Sequence, residues 1–327
     1  MNLSESSILV TGGTGSFGKK FVKLMLEKYQ PKRLVVFSRD ELKQFEMQQD
    51  ISAPNLRYFI GDVREEARLR RALEGIDVVV HAAALKQVPA AEYNPIECIK
   101  TNVIGAENII NAAIDAKVKR VIALSTDKAV NPINLYGATK LCADKLFVAA
   151  NNLSGADGTR FSNVRYGNVI GSRGSVIPFF KKMRETGVLP ITDPRMTRFW
   201  ITLEQGTEFV AKCMHMMKGG ETFVSKLPSM RITDLAEAVA PECKQEIVGI
   251  RPGEKLHEVM VPFEESRDTL EFDDYFVIQN KQVPQKDPRN LHIYEGVAGK
   301  PVAEDFRYAS DINNDWISVE KLREVVG

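Results

Sequence analysis

Short apolar runs alternate with helical patterns through the first half of the chain, and this alternation is the strongest constraint on its fold. Five runs have the length and composition of buried strands: Ile8–Val10, Leu34–Phe37, Tyr58–Ile60, Val78–His81 and Val121–Leu124. Helical patterns lie between them, including a polar one through about Gln49 and a charged one from about Glu65 to Leu73. This order predicts an α/β fold, a doubly wound parallel sheet covered by helices on both faces.

Composition excludes several function classes. The 327 residues are 44% apolar and 27% charged with a formal net charge of +1, as in a soluble chain long enough for a large core and a second, smaller lobe. Near-zero net charge gives no general attraction to nucleic acid or to an anionic membrane, so neither is an expected partner. The four cysteines form no CxxC or Cys/His cluster, so we expect no metal site and a reduced, cytoplasmic setting. A signal peptide and a membrane span are not expected either.

The segment after the first predicted strand is rich in glycine and opens the first helix. Its G-x-x-G-x-x-G spacing allows a tight turn, close approach to a pyrophosphate and packing of the helix on the strand. The helix N-terminus can then bind the anion. Because a strand precedes the glycines and a helix follows them, the segment predicts a dinucleotide site rather than only a tight turn. The residues expected at this site are Gly12, Thr14, Gly15, Ser16, Phe17 and Gly18.

The end of the second predicted strand bears on the choice of dinucleotide. A carboxylate at this point would bind a free ribose 2′-hydroxyl, whereas a hydroxyl and a cation suit a 2′-phosphate. The chain has Ser38 and Arg39 before Asp40, which favours NADP, although Asp40 could point either way. Asp62 and Val63 are expected beside the adenine. Asp62 could equally cap the following helix, and the two roles are compatible.

A second chemical segment follows the fifth predicted strand. Thr126, Asp127 and Lys128 stand where that strand ends, and a helix predicted from about Asn134 to Ala150 carries Tyr136 and Lys140. Residues four apart on a helix share one face, so Tyr136 and Lys140 should lie about one turn from each other. The pair alone could be an exposed tyrosine beside a solvated lysine. Together with the strand end, it predicts a crevice lined by hydroxyl, carboxylate, ammonium and phenol groups.

These motifs resemble the extended short-chain dehydrogenase/reductase family. The glycine spacing, Asp62, the Ala82-Ala83-Ala84 turn, Thr126 and the Tyr136-x-x-x-Lys140 pair carry the likeness. Within that family, four segments closely resemble the inverting UDP-N-acetylglucosamine 4,6-dehydratases, which begin the pathway to pseudaminic acid, a sugar of bacterial surfaces and flagella. The segments are 125–129, 131–140, 165–169 and 251–258. The likeness implies a Rossmann-type NADP-binding domain over 1–170, with Ala82, Ala83, Ala84, Tyr136 and Lys140 also at the cofactor. It further implies a smaller α/β lobe over 171–327 that binds nucleotide-sugar and returns some segments to the Rossmann domain.

The resemblance also implies roles for the catalytic residues. In such enzymes NADP removes hydride from sugar C4 and returns it to C6, because a C4 ketone makes the C5 proton acidic. Tyr136, with its pKa lowered by Lys140 and the nicotinamide, would take the C4 hydroxyl proton, and Thr126 would hydrogen-bond that hydroxyl. Asp127 would protonate the leaving C6 hydroxyl. Lys128 would remove the C5 proton as a neutral amine, its pKa lowered by desolvation and by Lys140. The group that reprotonates C5 is left open between Lys128 and Tyr136.

Further residues are assigned to UDP-N-acetylglucosamine by the same resemblance. Arg198 and Arg251 would bind the diphosphate, and Glu254 would accept from the uridine ribose. Lys86 could face the sugar or be a solvated loop lysine. The full set of substrate residues is Lys86, Asn168, Val169, Arg173, Val176, Thr192, Arg198, Arg251 and Glu254. From about Asp268 onwards, the strand at Tyr275–Ile278 and the tail are expected to cover the lobe.

Two other functions stay open at this point. A UDP-sugar 4-epimerase of the same family needs Tyr136 and Lys140 but has no use for the Asp127-Lys128 pair. A non-catalytic NADP-binding regulator needs the glycine turn but not the proton chemistry. The helices near 95–115 and 134–150 are where the family dimerises, so the resemblance also implies a homo-oligomer, a dimer or higher and possibly a hexamer.

Overall fold

The computed structural model describes residues 2–155, 157–171, 175–280 and 292–326. In these ranges the strands are β1 Ser7–Thr11, β2 Arg33–Ser38, β3 Leu56–Ile60, β4 Val78–His81, β5 Arg120–Thr126, β6 Arg160–Tyr166, β7 Asn168–Val169, β8 Val188–Ile191, β9 Thr197–Ile201, β10 Thr222–Ser225, β11 Ser229–Arg231, β12 Lys244–Ile247, β13 Val259–Val261, β14 Thr269–Glu271, β15 Tyr275–Ile278, β16 Ile293–Tyr294, β17 Val297–Ala298, β18 Lys300–Pro301 and β19 Tyr308–Ala309. The α-helices are α1 Ser16–Leu24, α2 Glu41–Asp50, α3 Glu66–Ala72, α4 Val88–Tyr93, α5 Pro95–Ile99, α6 Gly105–Asp115, α7 Leu135–Ser154, α8 Val176–Met183, α9 Leu203–Met216, α10 Ile232–Val239 and α11 Val319–Val326. Two π-helical turns occupy Met25–Tyr29 and Lys100–Ile104, and a 3₁₀ turn occupies Asp127–Ala129.

Ten of these strands form the main sheet, in the order β3-β2-β1-β4-β5-β6-β10-β15-β14-β18. The strands from β3 to β10 are parallel, and β15, β14 and β18 add an antiparallel edge. Strand order reverses between β1 and β4, and such a reversal opens a crevice at the carboxyl ends of the strands. The predicted doubly wound, Rossmann-type α/β fold is confirmed.

The central strands are apolar on both faces because helices cover both. Leu9 and Val35 pack into one core cluster, whereas Ile8, Val10 and Leu34 pack into the cluster on the other side of the sheet. Strands buried on both faces read as continuous apolar runs rather than as alternating patterns. This is why the first five strands could be located from the sequence, each within three residues of its observed ends.

One prediction about secondary structure is confirmed and another needs correction. The long helix expected from Pro95 to Asp115 is continuous through α5, the π-helical turn and α6, although α4 before it was not predicted. Tyr275–Ile278 does not cover the lobe, because it pairs antiparallel with β10 and so extends the main sheet. The end of the tail does pack on the lobe, since Leu322 and Val326 of α11 are part of the lobe's core.

The lobe is built from two small sheets and three helices. Strands β7, β9 and β11 form one sheet, and β8 pairs with β12 in the other. Trp200, Met230 and Leu235 pack in its core together with the α11 residues. Several segments after residue 170 nevertheless belong to the main sheet, namely β10, β14, β15 and β18. None of the described helices is both long and apolar enough to span a bilayer.

Candidate active site

One large cavity of about 1340 Å³ runs from the glycine turn to the lobe. It follows the carboxyl ends of β1, β2, β4 and β5, then passes between β6 and the segment 248–258. The described residues of the sequence-predicted sites all lie along it except Asp127, which is fully buried beside it. Arg173 lies outside the described residues. The described residues contain no cluster of side chains suited to a metal ion.

The glycine turn brings two backbone segments into close contact. Gly12 has φ +65°, and a Cβ on it would lie 2.9 Å from the Ala83 Cα atom. A Cβ on Gly18 would lie 2.4 Å from the Gly13 Cα atom, so the first turn of α1 packs directly on the glycine turn. Gly15 is the N-cap residue of α1 and lines the cavity. A helix N-terminus behind a turn without side-chain bulk fits the pyrophosphate of a dinucleotide.

The Ala82–Ala84 turn is held by a buried polar group of β1. The Thr11 hydroxyl oxygen accepts hydrogen bonds from the amides of Ala82 (3.1 Å) and Ala83 (3.2 Å). It also lies 2.9 Å from His81 Nδ1. Burial, and to a smaller extent Lys140, lowers the pKa of His81 to about 3. His81 is therefore a neutral structural residue.

Basic side chains line the cavity beyond the end of β2. Asp40 also lines the cavity but caps α2, where its carboxylate accepts from the Lys43 amide (3.0 Å) and pairs with the Lys43 ammonium. Arg39 is 56% exposed and lies 3.7 Å from Asp62. Ser38 is buried, and its hydroxyl accepts from Gln44 (3.0 Å). With Asp40 held in the cap, Arg39 and Lys43 are the cations at this end of the cavity.

Asp62 is not the cap of the next helix. The residue at that position is Glu65, and the Asp62 carboxylate instead accepts from the Arg64 amide at 3.0 Å and pairs with the Arg64 guanidinium. Burial raises the pKa of Asp62, but Arg64 and Arg39 outweigh it and lower the pKa below the usual aspartate value. The neighbouring Val63 is fixed through its carbonyl, which accepts from Asn108 at 3.0 Å. Asp62 is thus a charged, well-held carboxylate on the cavity wall.

The end of β5 and the start of α7 bring the five predicted catalytic residues together. Thr126 ends the strand, and its hydroxyl donates to Asp127 Oδ1 (2.8 Å) in the following 3₁₀ turn. Lys128 Nζ lies 3.0 Å from the same Asp127 oxygen and 3.2 Å from Asn168 Oδ1, and its side chain keeps 25% exposure toward the cavity. Tyr136 and Lys140 are buried on one face of α7.

Local backbone contacts explain why this geometry forms. Asn134 caps α7 by accepting from the Gly137 amide (2.8 Å), and its side-chain amide donates to the Gly253 carbonyl (2.8 Å) in the lobe-side loop. A Cβ on Gly137 would lie 2.2 Å from the Lys128 carbonyl oxygen. Only glycine lets α7 approach the 3₁₀ turn closely enough to bring Tyr136 beside Thr126.

The protonation expected for Lys128 is wrong for this state of the protein. Burial lowers the pKa of Lys128, as the sequence analysis assumed, and Arg198 acts in the same direction. Asp127 and Glu258 nevertheless outweigh both, so the pKa lies above the usual lysine range. Asp127, the adjacent residue, raises the pKa most, and Glu258, far along the chain, adds to it; the expected direction considered neither charge. Lys128 is an ammonium ion here.

The expectation for Tyr136 also needs correction. Burial raises the pKa of Tyr136 to about 12, Lys128 and a hydrogen bond with Thr126 lower it, and Asp127 and Asp144 raise it. The phenol is therefore protonated in this structure. Burial lowers the pKa of Lys140, with Asp144 opposing.

The predicted substrate residues fall into two groups. Lys86, Asn168, Val169, Val176 and Thr192 line the cavity. Burial, and then Lys128, lowers the pKa of Lys86. The second group, Arg198, Arg251 and Glu254, also lines the cavity, but these side chains form ion pairs or hydrogen bonds to backbone carbonyls. Arg251 pairs with Glu254, and the buried Arg198 guanidinium donates to the carbonyls of Thr197 (2.7 Å), Lys255 (2.9 Å) and Leu256 (3.1 Å).

Three residues near the site were missed from the sequence. Glu258 is buried 3.6 Å from Lys128, and Lys255 donates to the Val130 carbonyl at the end of the 3₁₀ turn. Asp144, one turn beyond Lys140, is buried and accepts from Ser125. The two acidic residues had a weak signal, since Glu258 ends a motif that the sequence analysis quoted and Asp144 continues the spacing of Tyr136 and Lys140.

Comparisons with known proteins cover nearly the whole chain. The family described as polysaccharide biosynthesis protein matches residues 8–280. The chain belongs to this family. A UDP-N-acetylglucosamine 4,6-dehydratase (inverting) from Campylobacter jejuni is 55% identical over 99% of this chain and 98% of that protein. A UDP-glucose 4-epimerase from Rickettsia conorii is 39% identical over 98% of this chain and 95% of that protein.

The solved structures agree with this assignment. The structure of Pen from Bacillus thuringiensis has a TM-score of 0.90 and 39% identity, and it covers 100% of this chain and 98% of that one. The resemblance to the extended short-chain dehydrogenase/reductases, and within them to inverting dehydratases, is therefore confirmed. Each of these relatives spans the main sheet and the lobe, so the family unit includes both.

Proposed function

We propose that this chain is an inverting UDP-N-acetylglucosamine 4,6-dehydratase. It produces UDP-2-acetamido-2,6-dideoxy-β-L-arabino-hex-4-ulose as the first step of pseudaminic acid biosynthesis. The observation that carries the proposal is the Asp127–Lys128 pair, 3.0 Å apart and beside Tyr136. A carboxylate and an ammonium ion in contact can exchange a proton, and the resulting carboxylic acid and amine are the acid and the base that elimination of water requires. The 55% identical relative from Campylobacter jejuni has this activity in its name.

The proposed cofactor is NADP, tightly bound and regenerated at each turnover. The glycine turn would hold its pyrophosphate, Asp62 and Val63 would lie at the adenine, and Ser38 and Arg39 would bind the 2′-phosphate. Support comes from the cap at Asp40, where Lys43 pairs with the carboxylate and so weakens its repulsion of that phosphate. When bound, the nicotinamide would accept a hydride from C4 of the sugar and later return it to C6.

At C4, Tyr136 in its phenolate form takes the proton of the sugar hydroxyl, and Thr126 hydrogen-bonds the same hydroxyl. Tyr136 must become a phenolate to do this. Its pKa of about 12 makes that step unfavourable in the present state. The positive charges of Lys140 and of a bound oxidised nicotinamide both favour the phenolate.

At C5 and C6, Lys128 is the base and Asp127 the acid. Lys128 begins as an ammonium ion, so it must first lose a proton. Transfer along the 3.0 Å contact to Asp127 Oδ1 leaves a neutral amine and a carboxylic acid, which are the forms that the two steps need. Water exclusion by the sugar favours this transfer, because two ions lose more solvation than a neutral pair.

The nucleotide lies toward the lobe. Arg251 and Glu254, with Arg198 behind them, bind the diphosphate and the uridine ribose, and the helix α8 that starts at Val176 directs its N-terminus at the same region. Asn168 and Lys86 face the sugar. Arg173, Val169 and Thr192 complete the proposed set.

A UDP-sugar 4-epimerase is the second candidate, because the 39% identical Rickettsia conorii relative is named as one. It would use Tyr136, Lys140 and the cofactor in the same way but would leave water on the sugar. The contact between Asp127 and Lys128 favours the dehydratase. A non-catalytic regulator would need neither Tyr136 nor this pair.

A direct assay separates the three functions. Purified protein is incubated with UDP-N-acetylglucosamine without added cofactor, and the sugar is followed by mass spectrometry. The dehydratase should remove one water, and substrate deuterated at C4 should give product deuterated at C6. An unchanged mass with formation of the C4 epimer would identify the epimerase. No change in the sugar would support the non-catalytic regulator.

The proposed setting is a soluble homo-oligomer in the cytoplasm, dimeric or larger. Exposed apolar residues support an interface on the helices near α4 and α5, where Tyr93 and Ile96 are uncovered. Light scattering of the purified protein would give the subunit number.

A further inference from the structure

Glu258 is a buried carboxylate surrounded by three cations, and the proposed mechanism gives it no task. Its side chain is 3% exposed. Oε1 lies 3.6 Å from Lys128 Nζ and 3.8 Å from Arg198 Nε, and Oε2 lies 3.7 Å from Lys255 Nζ. Oε2 has no hydrogen-bond partner among the residues that the structure describes. The carboxylate therefore acts on these neighbours mainly through its charge.

The fold fixes the position of this carboxylate. The Glu258 amide donates to the Ser310 hydroxyl (2.9 Å), and the Glu258 carbonyl accepts from the Ser310 amide (2.8 Å). The Ser310 hydroxyl also lies 2.7 Å from that of Thr197 at the start of β9. These contacts tie the residue before β13 to both β19 and the lobe. An ordered backbone holds the negative charge close to Lys128.

Glu258 gives Lys128 one more negative neighbour than an acid–base pair requires. The Lys128 ammonium has three oxygen neighbours, on Asp127 (3.0 Å), Asn168 (3.2 Å) and Glu258 (3.6 Å). One partner carboxylate is enough for the proton transfer proposed above. The second carboxylate, that of Glu258, stabilises the ammonium form of Lys128. It therefore opposes the proton transfer to Asp127 until the sugar excludes water from the pair.

We infer that Glu258 is a positioning residue, whose charge holds Lys128 in place as an ammonium ion until the sugar enters the cavity. This inference deepens the proposed function and rests on it for the place of Lys128 in the reaction. Other charged or titratable groups also face Lys128: Asp127 in its own turn, Tyr136 on α7, Arg198 on β9, Lys255 before β13 and Lys86 after β4. Of these, only Asp127 shares the negative charge of Glu258 in this structure.

The first test needs no turnover. Full-length protein with its co-purified cofactor is treated with a trace of an acylating reagent over a range of pH, and Lys128 labelling is read by peptide mass spectrometry. In Glu258→Gln the labelling rate should rise, about tenfold for each pH unit by which the pKa of Lys128 falls. Glu264→Gln removes an exposed negative charge six residues further along the chain, and its rate should match the wild type.

A second variant keeps this test decisive if glutamine prevents folding. In Glu258→Asp the side chain is one methylene shorter, so the carboxylate lies further from Lys128. The rate of Lys128 labelling should rise again, but by less than in Glu258→Gln. Circular dichroism establishes which variants are folded. A folded Glu258→Gln protein that labels at the wild-type rate would overturn the inference, and so would a wild-type rate in Glu258→Asp if only that variant folds.

The second test uses the reaction itself. In Glu258→Gln the acid limb of the kcat–pH profile for water loss should move to lower pH, and KM should not rise, because a negative charge has left the site of an anionic substrate. A uniform loss of kcat with no movement of the profile would mean a purely structural role and would count against the inference. If wild-type protein removes no water, the proposed function fails, and the labelling experiment still decides the effect of Glu258 on Lys128.

Discussion

At the scale of single residues, the charge states of Lys128 and Tyr136 are set by the buried groups around them. The Asp127–Lys128 contact and the stacking of Tyr136 on Lys140 follow from local spacing. The pKa of Lys128 is raised most by Asp127, the adjacent residue, and further by Glu258, which is 130 positions away and lies beside the pairing of β13 with β19. The charge of Asp127 could be read from local spacing, whereas the contact with Glu258 could not, and without both charges the expected sign of the shift was wrong.

Lys128→Ala tests the proposed base directly. We expect water loss from UDP-N-acetylglucosamine to fall by about 10²–10⁴, because a positioned base typically contributes that much. Exchange of the C5 hydrogen with D₂O should be lost to the same extent, and both are measured by mass spectrometry. Near-normal turnover with full exchange would make Lys128 a spectator and leave Asp127 or Tyr136 as the base.

Arg39→Ala tests the choice of cofactor. Hydrogen bonds to a charged group contribute roughly 1.5–3 kcal/mol, so NADP affinity should fall by about one to two orders of magnitude. NAD has no 2′-phosphate and should be affected little. Binding titrations of apoprotein with each dinucleotide measure the contrast. A similar loss for both would show that Arg39 does not read the 2′-position.

His81 should make the protein sensitive to acid. Its folded pKa is lowered to about 3, so from about pH 6.5 downward the unfolded chain takes up a proton that the folded protein does not. The contribution of His81 to the free energy of unfolding is therefore fully present above pH 6.5. Below pH 6.5 it falls by up to about 1.4 kcal/mol per pH unit. Urea unfolding at pH 7.5 and pH 5 should show a steeper loss in wild type than in His81→Gln. Parallel losses in the two proteins would contradict this.

At the scale of elements, glycine sets the distance between α7 and the 3₁₀ turn at Asp127–Ala129. A Cβ on Gly137 would meet the Lys128 carbonyl oxygen at 2.2 Å, and neither backbone can move without disturbing the site. The sequence predicted α7 and its cap region well, since its apolar stripe is long. It could not reveal the π-helical turn at Lys100–Ile104, because the polar residues Thr101 and Asn102 are buried there and leave no apolar pattern to follow.

Gly137→Ala should therefore destabilise the protein, although alanine is the better helix former by about 1 kcal/mol. We expect a lower Tm and a loss of turnover, measured by calorimetry and by the sugar assay. Gly206→Ala is the matched control in α9, where the nearest atom to an added Cβ is 3.8 Å away. That variant should keep or raise Tm. Equal behaviour of the two variants would show that the Gly137 contact carries no strain.

At the scale of the whole molecule, the sheet is completed by segments from the second half of the chain. Strand β10 extends it next to β6, and α9 packs Phe209, Val210 and Met214 into the core cluster that contains Ile8 and Phe21. The first-half strands were predictable because they are consecutive and apolar. The later strands are short and return from the lobe, and their pairing over long sequence distances left no periodic signal.

A fragment of residues 1–170 should consequently fail to fold as a stable monomer. It would expose the edge of β6 and the apolar surface that α9 covers, and such surfaces promote aggregation. The fragment should be insoluble or bind an environment-sensitive dye, whereas the full chain should give a single cooperative unfolding transition. A soluble, cooperatively folded fragment that binds NADP would show that the boundary at 170 separates independent domains.

The side chain of Asn134 hydrogen-bonds to segments from both halves of the chain. It caps the helix that bears Tyr136, and it also holds the Gly253 carbonyl of the loop that leads to Glu258. Any motion that swings the loop away from the sheet must break this amide contact or pull the cap from its helix. Opening of the cavity to exchange the proposed substrate would therefore be coupled to fraying of the first turn of α7. Amide hydrogen exchange at Gly137 would therefore report how often the cavity opens.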